Sequence, residues 1–205
     1  YSTKDNEFKG GGSVEIVFNT LPTSKMTIGG KHDVLQLGAS ENAFTTGNIL
    51  SSIFSRGNNE KLTLINQFDL RYEKEWWSWF TNTFAYEYRQ MFPTPYVDFF
   101  RPDSMEVSQI RTSQFRLGLR FSKNEVVVRK TFDKMSMGSK YPIVGMDLIA
   151  GVKGVFNSQY NYQRLELSVK HDFTIAPIGY SDVMLSGGKI FGKVPYPLLK
   201  LHEGN

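Results

Sequence analysis

Three carboxylates are the first candidates for chemistry. Asp69, Glu87 and Glu166 each have a cation close by in the chain: Arg71, Arg89 and Lys170. Two acids facing each other across a cavity can divide into a proton donor and a proton acceptor when their surroundings push their pKa values apart. The spacing supports a plainer role. An acid and a base two or four residues apart on a strand share one face and neutralise each other. Counter-charge is the expected role, and no catalytic residue is assigned.

Other chemical signatures fail in turn. His32, His171 and His202 are isolated, with no His-Glu-x-x-His pairing, so no metal site is expected. Gly10-Gly11-Gly12 lacks the Lys-Ser/Thr ending of a phosphate loop and reads as a flexible turn. Gly187-Gly188 with Gly192 matches a dinucleotide fingerprint loosely, but lies in a strand with no helix after it. There is no Gly-x-Ser-x-Gly elbow. The absence of cysteine removes thiolate ligands and a Cys nucleophile. No cofactor is expected.

The elements that carry these residues show a period of two. In Leu62–Tyr72, Leu62, Leu64, Asn66, Phe68, Leu70 and Tyr72 oppose Thr63, Ile65, Gln67, Asp69 and Arg71. Residues 78–91 set Phe80, Phe84, Tyr86 and Tyr88 against Thr81, Thr83, Ala85, Glu87 and Arg89. Residues 113–122 set Phe115, Leu117, Leu119 and Phe121 against Gln114, Arg116, Gly118 and Arg120. Residues 143–155, 161–175 and 180–191 continue the rhythm, with Asp147 and its expected counter-charge Lys153 opposite Leu148 and Val152, and with Glu166 and Lys170 opposite Leu165 and Leu167. Strands are therefore expected near 61–73, 78–91, 112–123, 142–155, 161–175 and 180–191. Ser13–Phe18 and Lys25–Ile28 read as short strands, Ser40–Phe54 as a short helix, and Lys130–Lys140 as a loop, with Val126–Val128 extending the strand before it. The connections at Glu73–Trp77, 92–112, 157–159 and 177–179 suit antiparallel neighbours, since none holds the crossover a parallel pair needs.

Composition narrows the class. The 205 residues include 14% aromatics, which argues against disorder. The net charge of +4 comes from 24 basic and 20 acidic residues spread along the chain, so no nucleic-acid partner is expected. Strands of soluble proteins peak at ~5–6 residues, whereas bilayer-crossing strands need ~9–11. The long alternating runs, with Trp76, Trp77, Trp79, Phe92, Tyr96, Phe99, Phe100, Tyr160 and Tyr162 at their ends, predict an aromatic girdle and a transmembrane barrel. Asp69, Arg71, Glu87, Arg89, Arg116, Arg120, Glu166 and Lys170 are then lumen-facing charges. Because the sequence begins at Tyr1 without a leader pattern, it is read as a piece of a longer chain.

The last stretch carries a resemblance. Gly187, Gly188 and Gly192 end a strand and Pro195-Tyr196-Pro197 follows. This resembles the last third of barrels in the BamA-like superfamily of outer-membrane assembly and two-partner secretion proteins. There a Gly-Gly-x-x-x-Gly strand end leads through a Pro-aromatic step to an inward-folded loop. The Arg-Gly-aromatic motif of that loop is not present up to Asn205. The chain is more similar to a Bacteroidota family of outer-membrane barrels of unknown function, which typically carry a carboxypeptidase-regulatory-like domain before the barrel. Ser40-Glu41-Asn42-Ala43-Phe44, Tyr88–Pro93, Lys140-Tyr141-Pro142 and Gly192–Leu199 carry that similarity, over residues 30–205.

The combined expectation is an all-β antiparallel meander forming part of a transmembrane β-barrel. Residues 1–60 hold the N-terminal strands and a connecting segment; 61–205 hold six strands and an inward-folded end. The resemblance implies a non-enzymatic protein of the bacterial outer membrane, of assembly or translocation type. Its expected partners are outer-membrane lipid and other envelope proteins or a nascent outer-membrane protein. The alternatives are an accessory or scaffold barrel with a plugged lumen and, further off, a soluble β-rich binding module.

Overall fold

The structure is a computed structural model that describes residues 9–36, 62–93, 108–129, 134–175, 177, 179–195 and 198–199. Ten strands occur in chain order: β1 (Gly10–Thr20), β2 (Thr23–Gln36), β3 (Leu62–Trp77), β4 (Phe80–Phe92), β5 (Ile110–Ser122), β6 (Glu125–Arg129), β7 (Lys134–Ser139), β8 (Ile143–Gly151), β9 (Tyr162–Ile175) and β10 (Gly179–Phe191). Eight of them form one antiparallel sheet in the order β1-β2-β3-β4-β5-β8-β9-β10. β6 and β7 form a separate hairpin inserted between β5 and β8. The meander is all-β, as the period of two requires.

Register carries the alternation across the whole sheet. Phe84 pairs with Leu117, Leu117 with Leu148, and Leu148 with Leu165, so apolar residues stack in rows on one face. The other face stacks Arg71, Ala85, Arg116, Ile149, Arg164 and Ile190. Burial is inverted relative to a soluble sheet. Phe84 is 55% exposed and Leu185 67%, while Asp147 on the charged face is 5% exposed and Ile65 is sealed. Side chains on the charged face also meet across intervening strands: the Tyr162 hydroxyl on β9 donates to Gln114 Oε1 on β5 at 2.8 Å, over β8. The sheet is therefore curled around its charged face. A small apolar cluster of Ile65, Met91, Ile110, Ile149, Tyr160 and Tyr162 lies there, near the end where β4 finishes and β5 begins.

Several sequence expectations are corrected. The first hairpin turns at Ser78-Trp79 rather than over Glu73–Trp77, because β3 continues to Trp77, where Trp77 stacks on Trp79 with ring centres 5.2 Å apart. The strand expected to reach residue 155 stops at Gly151 and gives way to a 3-10 turn at Val155–Asn157 with Phe156 and Asn157 at positive φ. Glu125–Arg129 and Lys134–Ser139 pair as the antiparallel strands β6 and β7, in place of the strand extension and loop expected there. Asn124 takes a left-handed turn at φ 54°, a conformation Asn tolerates. β1 and β2 are longer than the short strands expected. Tyr160 and Tyr162 belong to the enclosed cluster and not to an outer girdle. The helix expected at Ser40–Phe54, most of the 92–112 loop, and Tyr96, Phe99 and Phe100 lie outside the described residues.

Gly187 and Gly188 sit inside β10, opposite Leu167 and Glu166, and it is Gly192, at φ 108°, that ends it. The two inner glycines differ. A Cβ at Gly188 would stand 2.8 Å from the Leu165 carbonyl oxygen and 3.2 Å from Glu166 Cγ; one at Gly187 would meet nothing within 4 Å. Gly188→Leu should therefore lose ~1–3 kcal/mol through overpacking against β9, and Gly187→Leu should fold normally. Urea unfolding of the two variants side by side checks this; equal stabilities would show that close backbone approach is not what Gly188 provides.

Candidate functional site

The enclosed face is where this chain concentrates charge. Register puts Asp69, Arg71, Glu87, Arg89, Arg116, Arg120, Glu166 and Lys170 all on it. Glu87 is a hub: Gln114 donates to its Oε1 at 2.5 Å, and Gln67 and Arg89 donate to Oε2 at 3.3 and 3.0 Å. Tyr162 then orients Gln114. Arg116 grips Asp147 with two parallel hydrogen bonds, Nε to Oδ1 at 2.8 Å and Nη2 to Oδ2 at 3.0 Å. Such a fork is the strong form of an ion pair.

Two expected pairings change partner. Glu166 pairs with Arg164 at 2.8 Å rather than with Lys170, which reaches Asp182 on β10 at 3.0 Å. Asp147 takes Arg116 and not Lys153. Arg116 reaches Asp147 from the neighbouring strand, and Arg164 reaches Glu166 from two residues away on its own strand. Sequence spacing exposed same-strand neighbours such as Glu87 and Arg89, but Gln114, Tyr162 and Asp182 emerge only once register is known. Among the described residues, no three His, Asp or Glu come together as metal ligands.

Both ends of the charged face are covered. At the end where β8 leads to β9, Val194 and Leu198 pack on the apolar cluster, and Pro195 is buried. A turn holds this segment, with Leu198 N donating to the Pro195 carbonyl at 3.0 Å. After Phe191 the described residues leave the sheet, and Val194 and Leu198 lie on its inner face. Tyr196 and Pro197 lie outside the described residues. At the opposite end the β6–β7 hairpin is latched by Arg120, whose Nη1 and Nη2 donate to the two Glu125 oxygens at 2.8 and 2.6 Å. A Cβ at Gly138 of β7 would stand 3.6 Å from Asp172 of β9, so the hairpin lies against the inner face there. Burial by itself would raise the Glu125 carboxyl. Hydrogen bonds with Arg120, Ser136 and Ser122, together with the Arg120 charge, outweigh it and hold the pKa at about 2.

The outer face carries a different chemistry. Trp77, Trp79, Phe80 and Phe121 form a ring cluster at the β3–β4 turn, with Phe80 and Phe121 centres 5.0 Å apart and Trp79 6.3 Å from Phe121. Lys74 Nζ lies 4.0 Å above the Trp76 ring. The three tryptophans are exposed.

These features define an antiparallel all-β protein whose eight-stranded main sheet curls around a charged face and exposes an apolar one. The chain belongs to the C-terminal domain family DUF5686, a family of unknown function, whose model matches residues 1–195. No curated protein and no solved structure matches it.

Two outcomes test this site. Arg116→Met leaves the Asp147 carboxylate enclosed without its guanidinium, and should cost ~3–5 kcal/mol. Arg116→Met with Asp147→Leu should recover most of that loss, as measured by urea unfolding of the single and double variants. For Glu125 the folded pKa lies below the unfolded one. Its stabilising contribution is thus complete above about pH 4.5 and is lost as pH falls towards about 2. Glu125→Gln should lose ~1.5–3 kcal/mol at pH 7, and the difference from the parent should shrink on acidification. A constant difference between pH 7 and 2 would contradict the Arg120 latch.

Proposed function

We propose that this chain forms part of the wall of a β-barrel in the bacterial outer membrane and that its role is non-enzymatic. One observation carries the reading: the exposed face bears an apolar belt whose limits run obliquely across the sheet. On β2, β3, β4, β9 and β10 the outward-facing polar residues stand eight apart: Ser24 and His32, Asn66 and Lys74, Asn82 and Gln90, Gln163 and His171, Ser181 and Lys189. The belt centres are Ile28, Leu70, Tyr86, Leu167 and Leu185. Ile28 shares a hydrogen-bonded row with Leu70, Tyr86, Phe115, Ala150, Gln163 and Phe191. The centres on β2, β3 and β4 stay in that row; on β9 the centre stands four residues from it, at Leu167 instead of Gln163, and on β10 six residues from it, at Leu185 instead of Phe191.

Averaged over the six strand steps from β2 to β10, at ~3.3 Å per residue and ~4.8 Å between strands, that drift is a slope of about 35°. Transmembrane barrel strands tilt by ~35–45°. Eight residues of strand span ~26 Å, and at this slope stand ~22 Å tall, close to the ~25 Å apolar band of such barrels. A soluble sandwich would cover this face with a second sheet. The Trp76–Trp79 cluster at one limit of the belt supports an interfacial girdle. At one end the connections are two residues at Leu21-Pro22 and Ser78-Trp79 and three at 176–178, with the β6–β7 hairpin carried between β5 and β8; at the other they are longer, at 37–61, 93–109 and 152–161, which supports short turns on one side of a membrane and mostly longer loops on the other.

Within that reading, assembly or translocation and a plugged accessory barrel remain the two roles. The paired charges and the cover at both ends of the inner face support the plugged form. The inward path of Val194–Leu198 supports the BamA-like resemblance, and the Bacteroidota family with its preceding regulatory-like domain belongs to the same proposal. Leu117→Arg, in the middle of β5, should destabilise the membrane-inserted protein by ~2–4 kcal/mol, and carbonate extraction should leave the parent chain with the membrane. Release of the parent chain by carbonate, or a Leu117→Arg variant with undiminished stability, would point to the soluble module instead.

A further inference from the structure

The outer face is not uniformly filled. In the row Phe115, Ala150, Gln163, Phe191, two large rings stand ~14 Å apart across three strand steps, with the smallest side chain of the row between them. The next row supplies Phe84, Leu117, Leu148 and Leu165. The result is an open groove of about 460 Å³, within the ~300–1,000 Å³ range of small-molecule sites. Its walls are almost wholly apolar.

The groove has one polar end. Lys189 pairs with Leu165 across β9 and β10, is exposed, and places its Nζ 5.1 Å from the Phe191 ring centre. Gln163 is exposed beside it. Both residues mark the limit of the apolar belt on their strands, at the end with the long connections. A ligand that fits must be a flexible apolar chain with an anionic head at that limit.

We propose that this groove holds an acyl chain of an anionic phospholipid, with its phosphate at Lys189 and Gln163. The proposal rests on the membrane-wall reading above. Ala150 keeps the notch open, Phe115 and Phe191 close its sides, and Leu117, Leu148 and Leu165 line the path towards the belt centre. Lys189 makes the site selective, because in a choline lipid the quaternary ammonium repels Lys189 and offsets the attraction of the phosphate, whereas in a phosphatidylglycerol the phosphate charge is uncompensated.

The test uses the full chain purified in a neutral detergent, with dioleoylphosphatidylglycerol or dioleoylphosphatidylcholine added and bound lipid counted by native mass spectrometry. The parent should retain one phosphatidylglycerol about tenfold more tightly than phosphatidylcholine, the scale of one charged contact. Ala150→Phe should abolish retention of both lipids, and Lys189→Glu should remove the preference. Equal retention of both lipids by the parent, unchanged binding by Ala150→Phe, or a dimer that excludes lipid would overturn the proposal. Carbonate extraction of the membranes from which the chain is purified separates the two failures: a chain that stays in the membrane yet shows no selective lipid overturns this site alone.

Discussion

Register is the constraint on which this structure depends. A one-residue slip at any strand pair would carry that strand's charges outward and its leucines inward. Arg116 and Asp147 make the cost concrete. Their fork spans β5 and β8, with Asp147 almost fully enclosed. Moved one position, each would face the outer surface without the other. The same holds for Lys170 and Asp182 across β9 and β10. The ion pairs thus specify which strand alignment is acceptable, even where enclosing them adds little net stability.

Curling the sheet brings those charges together, and the curl leaves two open ends to be managed. One is met by apolar packing: Val194 and Leu198 lie against the cluster that includes Ile65, Met91 and Tyr162. The other is met by electrostatics, with Arg120 and Glu125 fastening the β6–β7 hairpin. The two covers have different sensitivities. Apolar packing is indifferent to pH, whereas the Glu125 latch weakens under strong acid. The closing elements are both irregular or short, while the eight long strands carry the regular pattern.

Much of the sheet was legible because alternation over ten or more residues has no competing explanation. β3, β4, β5, β9 and β10 fall where Leu62–Tyr72, Phe80–Tyr88, Phe115–Phe121, Leu165–Phe173 and Val183–Leu185 place them. All eight charges read as inward do share one face. What escaped was non-local. Nothing in Val126-Val127-Val128 distinguishes a continued strand from a new hairpin; the left-handed Asn124 and the pairing with Lys134–Ser139 decide it. Tyr160 and Tyr162 resemble girdle residues in sequence, but β9 starts with Tyr162 on the charged side. Partner choice among the ions likewise depends on which strands adjoin.

The drift of the apolar belt is the feature on which the proposed bilayer setting most directly rests, and the lack of cysteine in the sequence makes it measurable. Leu70→Cys, Leu185→Cys and Phe191→Cys can each be spin-labelled in the full chain reconstituted in lipid, and their depths read from oxygen against a water-soluble nickel relaxant. Leu70 and Phe191 lie in one hydrogen-bonded row, whereas Leu185 is six residues away. A sheet tilted across a bilayer puts Leu70 and Leu185 at the same apolar depth and Phe191 near the polar limit. Equal depths for Leu70 and Phe191, or ready access of the nickel reagent to Leu70 and Leu185, would contradict it.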